Sequence, residues 1–140
     1  MLGGTYTHSV DDKGRVIIPV KFKKELGLEF VITAGFDETL MIMSYQEWEK
    51  FLDRVFSNAP ISQTRRLKRF FHGNMHEVST DKQGRMQIPQ QLREKIGVES
   101  EVVLVGNGEM VEIWTPERWE IEQGNLDSES IASSMDELMI

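Results

Sequence analysis

Two matched residue sets stand out for the chemistry they could do: Asp11 with Arg15 and Asp81 with Arg85, each pair four residues apart around a glycine, Gly14 or Gly84. An arginine guanidinium can bond two acceptors at once, on a guanine edge or on a phosphate. The glycine permits the positive φ of a tight turn, which would hold each arginine on a protruding β-loop. The carboxylate can orient its arginine across that turn. A purely structural clamp is one reading and DNA contact is the other; they are compatible, because an aspartate can aim an arginine at DNA. Lys13 and Lys82 stand beside these residues. Lys21, Lys23 and Lys24 follow the first set and suit phosphate contacts, which hold register without reading sequence. Lys21 and Lys23 also fit a solvated helix face.

Other chemistries find little support. His72 and His76 have the spacing of two metal ligands on a helix, but Gly73-Asn74 intervenes and no third ligand is near, so they read as surface or packing histidines. Trp48, Trp114 and Trp119 read as core or subunit contacts from their repeat-matched or strand-end positions. Gly35 and Gly106 each fall in a hairpin and form no phosphate-cradling loop, and no Ser-His-Asp arrangement can be read. No cofactor, metal or catalytic set is expected, and the chain does not read as an enzyme. The basic run Arg65, Arg66, Lys68 and Arg69 is interleaved with Leu67 and Phe70-Phe71. It reads as an amphipathic linker helix whose charges pair with acids of a neighbouring half or chain, in preference to DNA.

Composition sets the frame. A chain of 140 residues, 39% hydrophobic and 28% charged, is ordinary for a globular protein of one domain or two small units sharing a core. No apolar run is long enough to span a bilayer, and Met1-Leu2-Gly3-Gly4-Thr5 does not read as a secretory signal. With no cysteine, disulfide and thiolate chemistry are excluded and a reducing cytoplasm is allowed. The net charge of −7 argues weakly against nucleic acid, but the sum hides a separation. Basic residues gather at 13–24 and 65–69, whereas acids gather from Glu112 to Glu122 and then at Asp127, Glu129, Asp136 and Glu137.

The chain also repeats itself. Asp11-Asp12-Lys13-Gly14-Arg15-Val16-Ile17-Ile18-Pro19 aligns with Asp81-Lys82-Gln83-Gly84-Arg85-Met86-Gln87-Ile88-Pro89 at an offset of 70 residues. The match continues through Phe22 with Leu92, Leu26 with Ile96 and Gly27 with Gly97, then, after one inserted residue, Gly35 with Gly106 and Trp48 with Trp119. Each half reads as β-β-α-β-β. A strand enters the Asp loop, a second runs 15–18 or 85–88, and Pro19 or Pro89 opens a short helix in its first turn. Gly27 or Gly97 stops that helix. A hairpin follows, 30–34 with 40–43 or 101–105 with 110–114. Ser44-x-x-Glu47 and Thr115-Pro116 then start further helices. The organisation expected is a first module at 1–60 with its following helix, a basic linker helix at 61–72, a second module at 73–123, and a mobile acidic tail at 124–140, where Ile131, Met135 and Leu138 hint only at a weak helix. Units of this size have thin cores, so the halves should interlock as a pseudo-dimer with an approximate twofold axis. The fold class is α+β, mainly β.

The segment from Asp81 to Gly97 resembles the AbrB-like swapped-hairpin DNA-binding modules. Two tandem copies, together with the opening Gly4-Thr5-Tyr6-x-His8-x-x-Asp11-x-Lys13-Gly14-Arg15, look like the MraZ family of bacterial transcriptional regulators over residues 2 to about 122. The resemblance implies a double-ψ-like swapped-hairpin core, assembly of chains into a ring, and a double-stranded DNA target. That target would be repeated short boxes upstream of a cell-division and cell-wall gene cluster that includes the regulator's own gene. It also implies DNA contact by Asp11 with Arg15 and Asp81 with Arg85, and a cytoplasmic, nucleoid-associated protein. One departure is that Lys13, Lys21, Lys23 and Lys24 of the first half face Gln83, Gln90 and Gln91 at or beside the matching positions, so the two loops are not expected to contribute equally. The competing reading is an antitoxin-like DNA-binding module with a protein partner on its C-terminal segment. Against it stand the poor apolar spacing of the tail and a second module already filling the space.

Overall fold

The computed structural model describes residues 1–139, and in it the two halves are threaded through one another. The first half supplies β1 (Thr5–Ser9), β2 (Arg15–Ile17), α1 (Val20–Leu26), β3 (Glu29–Ala34), β4 (Leu40–Ser44), α2 (Tyr45–Asn58) and α3 (Ile61–Asn74). The second supplies β5 (His76–Ser79), β6 (Arg85–Gln87), α4 (Gln90–Ile96), β7 (Glu101–Gly106), β8 (Val111–Trp114), α5 (Pro116–Gln123) and α6 (Ser128–Glu137). Six strands form an antiparallel sheet in the order β1-β7-β8-β4-β3-β5. Each half's hairpin, β3–β4 or β7–β8, therefore receives the entering strand of the other half: β5 pairs with β3 and β1 with β7. β4 and β8 meet at the centre, joining Leu40 to Ile113 and Ile42 to Val111. β2 and β6 pair with each other in a separate ribbon. The expected interlocked pseudo-dimer is the fold.

This exchange explains the core. A two-stranded hairpin of this size leaves an apolar face open. Here Phe30, Ile32, Leu40 and Ile42 of one hairpin meet Val102, Leu104, Val111 and Ile113 of the other, under Phe22 and Leu26 of α1 and Leu92 of α4. Val16, Ile18, Met86 and Ile88 close this layer from the ribbon. The opposite face of β3 and β4 is covered as well: Val31, Met41 and Met43 pack against Trp48 of α2 and Phe71 of α3. Burial on both faces accounts for the nearly continuous apolar run of these two strands, interrupted between Phe30 and Ala34 only by the buried Thr33, since alternation appears only where one face meets water. Phe71 sits edge-on to Trp48, Phe51 and Phe70, with the Phe51 centroid at 5.1 Å. Trp48 thus serves packing; Trp114 is also buried and meets Trp119 at 5.3 Å.

Several local details differ from the sequence expectation. Pro19 and Pro89 do not occupy the first helical turn. They stand one residue before α1 and α4 with extended ψ of 137° and 139°. Their carbonyls accept the first helical N–H groups, Phe22 and Lys23 in α1, Leu92 and Arg93 in α4. α3 runs through Gly73 to Asn74, so the glycine between His72 and His76 lies inside the helix, and His76 begins β5. Among the described residues no ion pair involves Arg65, Arg66, Lys68 or Arg69; Lys68 instead lies 5.6 Å over the Phe56 ring. The stretch at 124–140 contains a regular helix, α6, whose N-terminus is capped by the Asp127 carboxylate accepting from the Ser130 N–H at 2.7 Å. No helix among the described residues is long and apolar enough to cross a membrane.

Candidate nucleic-acid interface

Each Asp-x-x-Gly-Arg loop is a tight turn held by one carboxylate. In the first, the Gly14 N–H donates to the Asp11 carbonyl at 2.9 Å and the Asp11 N–H to the Arg15 carbonyl at 3.0 Å. Asp11 Oδ1 accepts from the backbone N–H of Lys13 and of Arg15, and Oδ2 accepts from Arg15 Nε at 2.6 Å. The second loop repeats this bond for bond: Asp81 Oδ1 accepts from the Gln83 and Arg85 N–H groups, and Oδ2 from Arg85 Nε at 2.9 Å. Gly14 and Gly84 take φ of +79° and +78°, where a Cβ would meet its own backbone. Both aspartates are held below the usual carboxylate value of 3.8, chiefly by the N–H of the arginine four residues on. The arginine side chain, a second loop N–H and the guanidinium charge add to this and outweigh the opposing effect of partial burial.

The ribbon brings the two clamps together. β2 and β6 pair Arg15 with Gln87, Val16 with Met86 and Ile17 with Arg85. Val16 and Met86 point into the core, so Arg15, Ile17, Arg85 and Gln87 form the outer face. Both arginines thus rise from one two-stranded surface, 70 residues apart in sequence. Each is gripped through Nε by the carboxylate of its own loop. Arg85 Nη1 also lies 3.9 Å from Asp11 Oδ2, so Asp11 offsets part of the repulsion between the two cations. The loops are stitched to the opposite strands as well: Ile18 N–H donates to the Gly84 carbonyl, Ile88 N–H to that of Gly14, and Gln87 Nε2 to that of Lys13.

The remaining predicted residues divide. Lys13 and Lys82 are exposed at the loop tips. Lys21 and Lys24 are exposed on α1, but Lys23 is the lysine that shares a groove of about 550 Å³ with Lys82, Gln83 and Gly84, along with Tyr6 and His8. His72 stacks on Phe56, and among the described residues no group of three or more His, Cys, Asp or Glu could hold a metal ion.

Sequence reasoning missed Arg93. It lies on α4, at the position matching Lys23, and its Nε donates to the Ile88 carbonyl at 2.8 Å. Its guanidinium lies against the first loop: a Cβ on Gly14 would come within 2.4 Å of Arg93 Cζ and Nε. Gly84 has no such neighbour within 4 Å. The first loop is braced by an arginine of the other half, and the second is not. The one available signal was the repeat alignment itself, which places a basic residue at this position in both halves.

Strand exchange between halves and paired Asp–Arg loops on a shared ribbon define the class: two tandem AbrB-like swapped-hairpin modules interlocked within one chain. A family model described as "MraZ protein, putative antitoxin-like" matches residues 1–71 and again residues 70–139, one match per half. The chain is 44% identical to the transcriptional regulator MraZ of Acetivibrio thermocellus, with 96% of each chain covered. It is 43% identical to the protein of that name from Thermoanaerobacter sp. and 41% to that from Clostridium tetani, each covering both chains in full (100%). The chain belongs to the MraZ family.

Proposed function

We propose that this protein is a sequence-specific, DNA-binding transcriptional regulator that reads double-stranded DNA with the outer face of the β2–β6 ribbon. One observation carries the reading: two arginines, each locked through Nε by the aspartate of its own loop, share that face. The major groove admits a two-stranded β-ribbon, and a guanidinium presented end-on matches guanine O6 and N7. Arg15 and Arg85 are the base-reading candidates. Lys13, Lys82, Lys21 and Lys24 contact phosphates, and Asp11, Asp81, Gly14 and Gly84 hold the loops in shape. The names of the relatives support regulation of transcription.

A single ribbon offers only two arginines. Several copies in a ring would set ribbons at fixed spacing, so that filling one box raises the effective concentration for the next. The target is repeated boxes in the promoter of a cell-division and cell-wall gene cluster that includes the protein's own gene, reached in the cytoplasm at the nucleoid. The test is binding to the DNA upstream of its own gene at fixed salt with excess competitor, for wild type, Arg15→Ala and Arg85→Ala, with folding checked by circular dichroism. Loss of a bidentate base contact costs about 1–3 kcal/mol of discrimination, or roughly 5- to 150-fold. Folded variants that bind as tightly and as selectively as wild type would make the arginines clamps only. Equal affinity for one box and for several would remove the ring from the mechanism.

A further inference from the structure

The two ends of the chain carry surfaces that fit each other. At the start of α1 and just past its end, Val20 and Leu28 are 69% and 83% exposed and, with Gly27, line an almost wholly apolar groove of about 260 Å³ edged by Lys23 and Lys24. Glu25, the acid beside these lysines, is engaged by the N-terminal ammonium. The repeat-matched positions of Val20, Lys24 and Leu28 in the second half are Gln90, Glu94 and Val98, so the second half does not repeat this basic, apolar lining.

α6 is its chemical complement. Ile131, Met135 and Leu138 recur at helical spacing along one stripe and are 44%, 40% and 66% exposed. Glu129, Asp136 and Glu137 flank the stripe, and no Lys or Arg follows Arg118. α6 follows α5 in the second half as α3 follows α2 in the first, yet α3 buries Phe71 on the sheet and α6 buries no residue.

We propose that the α6 helix of one copy docks in the α1 groove of a second copy, apolar stripe against Val20 and Leu28 and carboxylates against Lys23 and Lys24. The contact joins unlike patches of two copies; unless it is exchanged reciprocally in a twofold dimer it is head-to-tail, the kind that closes into a ring or propagates. The inference rests on the homo-oligomer part of the reading above and assigns it a joint. It also places Lys24 where a neighbour's carboxylates compete with DNA phosphate.

The absence of native cysteine makes the test clean. Full-length Leu28→Cys and Met135→Cys chains, carrying different tags, are mixed and oxidised gently, and the solution mass of wild type is measured beside Leu28→Asp and Ile131→Asp. The expected result is a disulfide between the two differently tagged chains, and a drop in mass for both aspartate variants with unchanged circular dichroism. Both substituted positions are exposed, so folding should survive. An oligomeric wild type that gives no such cross-link and keeps its mass in both variants overturns the docking while leaving the oligomer standing; a monomeric wild type overturns both. A doubly substituted chain that cross-links only within itself assigns the groove to its own α6, and capture of α6 by a foreign protein with no cross-link between copies assigns the helix elsewhere. Either result overturns the proposal. DNA binding, measured separately, decides the ribbon reading independently.

Discussion

Adding one methyl group to each loop glycine should separate the two halves. Gly14→Ala and Gly84→Ala both force a Cβ into a left-handed backbone, at φ of +79° and +78°, which costs about 1–2 kcal/mol. There the symmetry ends. The new methyl at position 84 meets open space, whereas at position 14 it would lie 2.4 Å from the Arg93 guanidinium. Arg93 must move, giving up its hydrogen bond from Nε to the Ile88 carbonyl. Hydrogen bonds from charged donors contribute about 1.5–3 kcal/mol, and water recovers part of that at a half-buried site, so the extra cost at position 14 should be about 1 kcal/mol. For a chain of this size that is a further fall in melting temperature of roughly 3–4 °C. Thermal and urea unfolding of both variants at one protein concentration measures the difference. The same pair in an Arg93→Ala background tests its cause, because removing the neighbour should erase the gap between the two glycines. Equal losses in the native background, or a gap that persists without Arg93, would refute the brace.

Three further outcomes follow from the geometry. Because Asp11 and Asp81 are held below 3.8 in the folded loops, the loop bonds contribute stability above that value and lose it as the pH falls through the lowered folded values. The Nε–H resonances of Arg15 and Arg85 should therefore hold steady from pH 8 to 5 and shift only in strong acid; a midpoint above about 4 would contradict the clamp. Thr33 is buried, and its hydroxyl has no hydrogen-bond partner among the described residues, so Thr33→Val should stabilise by about 1 kcal/mol in urea unfolding, and a loss would reveal an unseen partner. Phe71→Ala should destabilise by about 3–5 kcal/mol in the same assay, because it empties the contact between α2, α3 and β3; a loss under 1 kcal/mol would show that the back layer is dispensable.

How far the sequence reaches depends on the distance over which each interaction acts. The Asp–Arg clamps were legible because every bond in them closes within five consecutive residues: a carboxylate, a turn glycine and an arginine carry the whole instruction. The repeat was legible too, and with it the need for two thin-cored units to cover each other. The prolines before α1 and α4 were misplaced by one residue, because the same ring suits the first turn and the position just outside it. The helix at 128–137 is only weakly legible in the sequence, because it buries no residue and so lacks the full apolar stripe that marks a packed helix.

The sequence by itself determined two β-β-α-β-β units and a rigid arginine at the head of each, because turns, caps and strand periodicity are local. Only the tertiary structure decided that the arginines share one face, that Asp11 reaches Arg85, and that Arg93 braces the opposite loop. These are contacts between strands and helices about 70 residues apart, created by the exchange of β1 and β5 between hairpins. Their register is set by which apolar faces must close on each other, and no spacing along the chain records it.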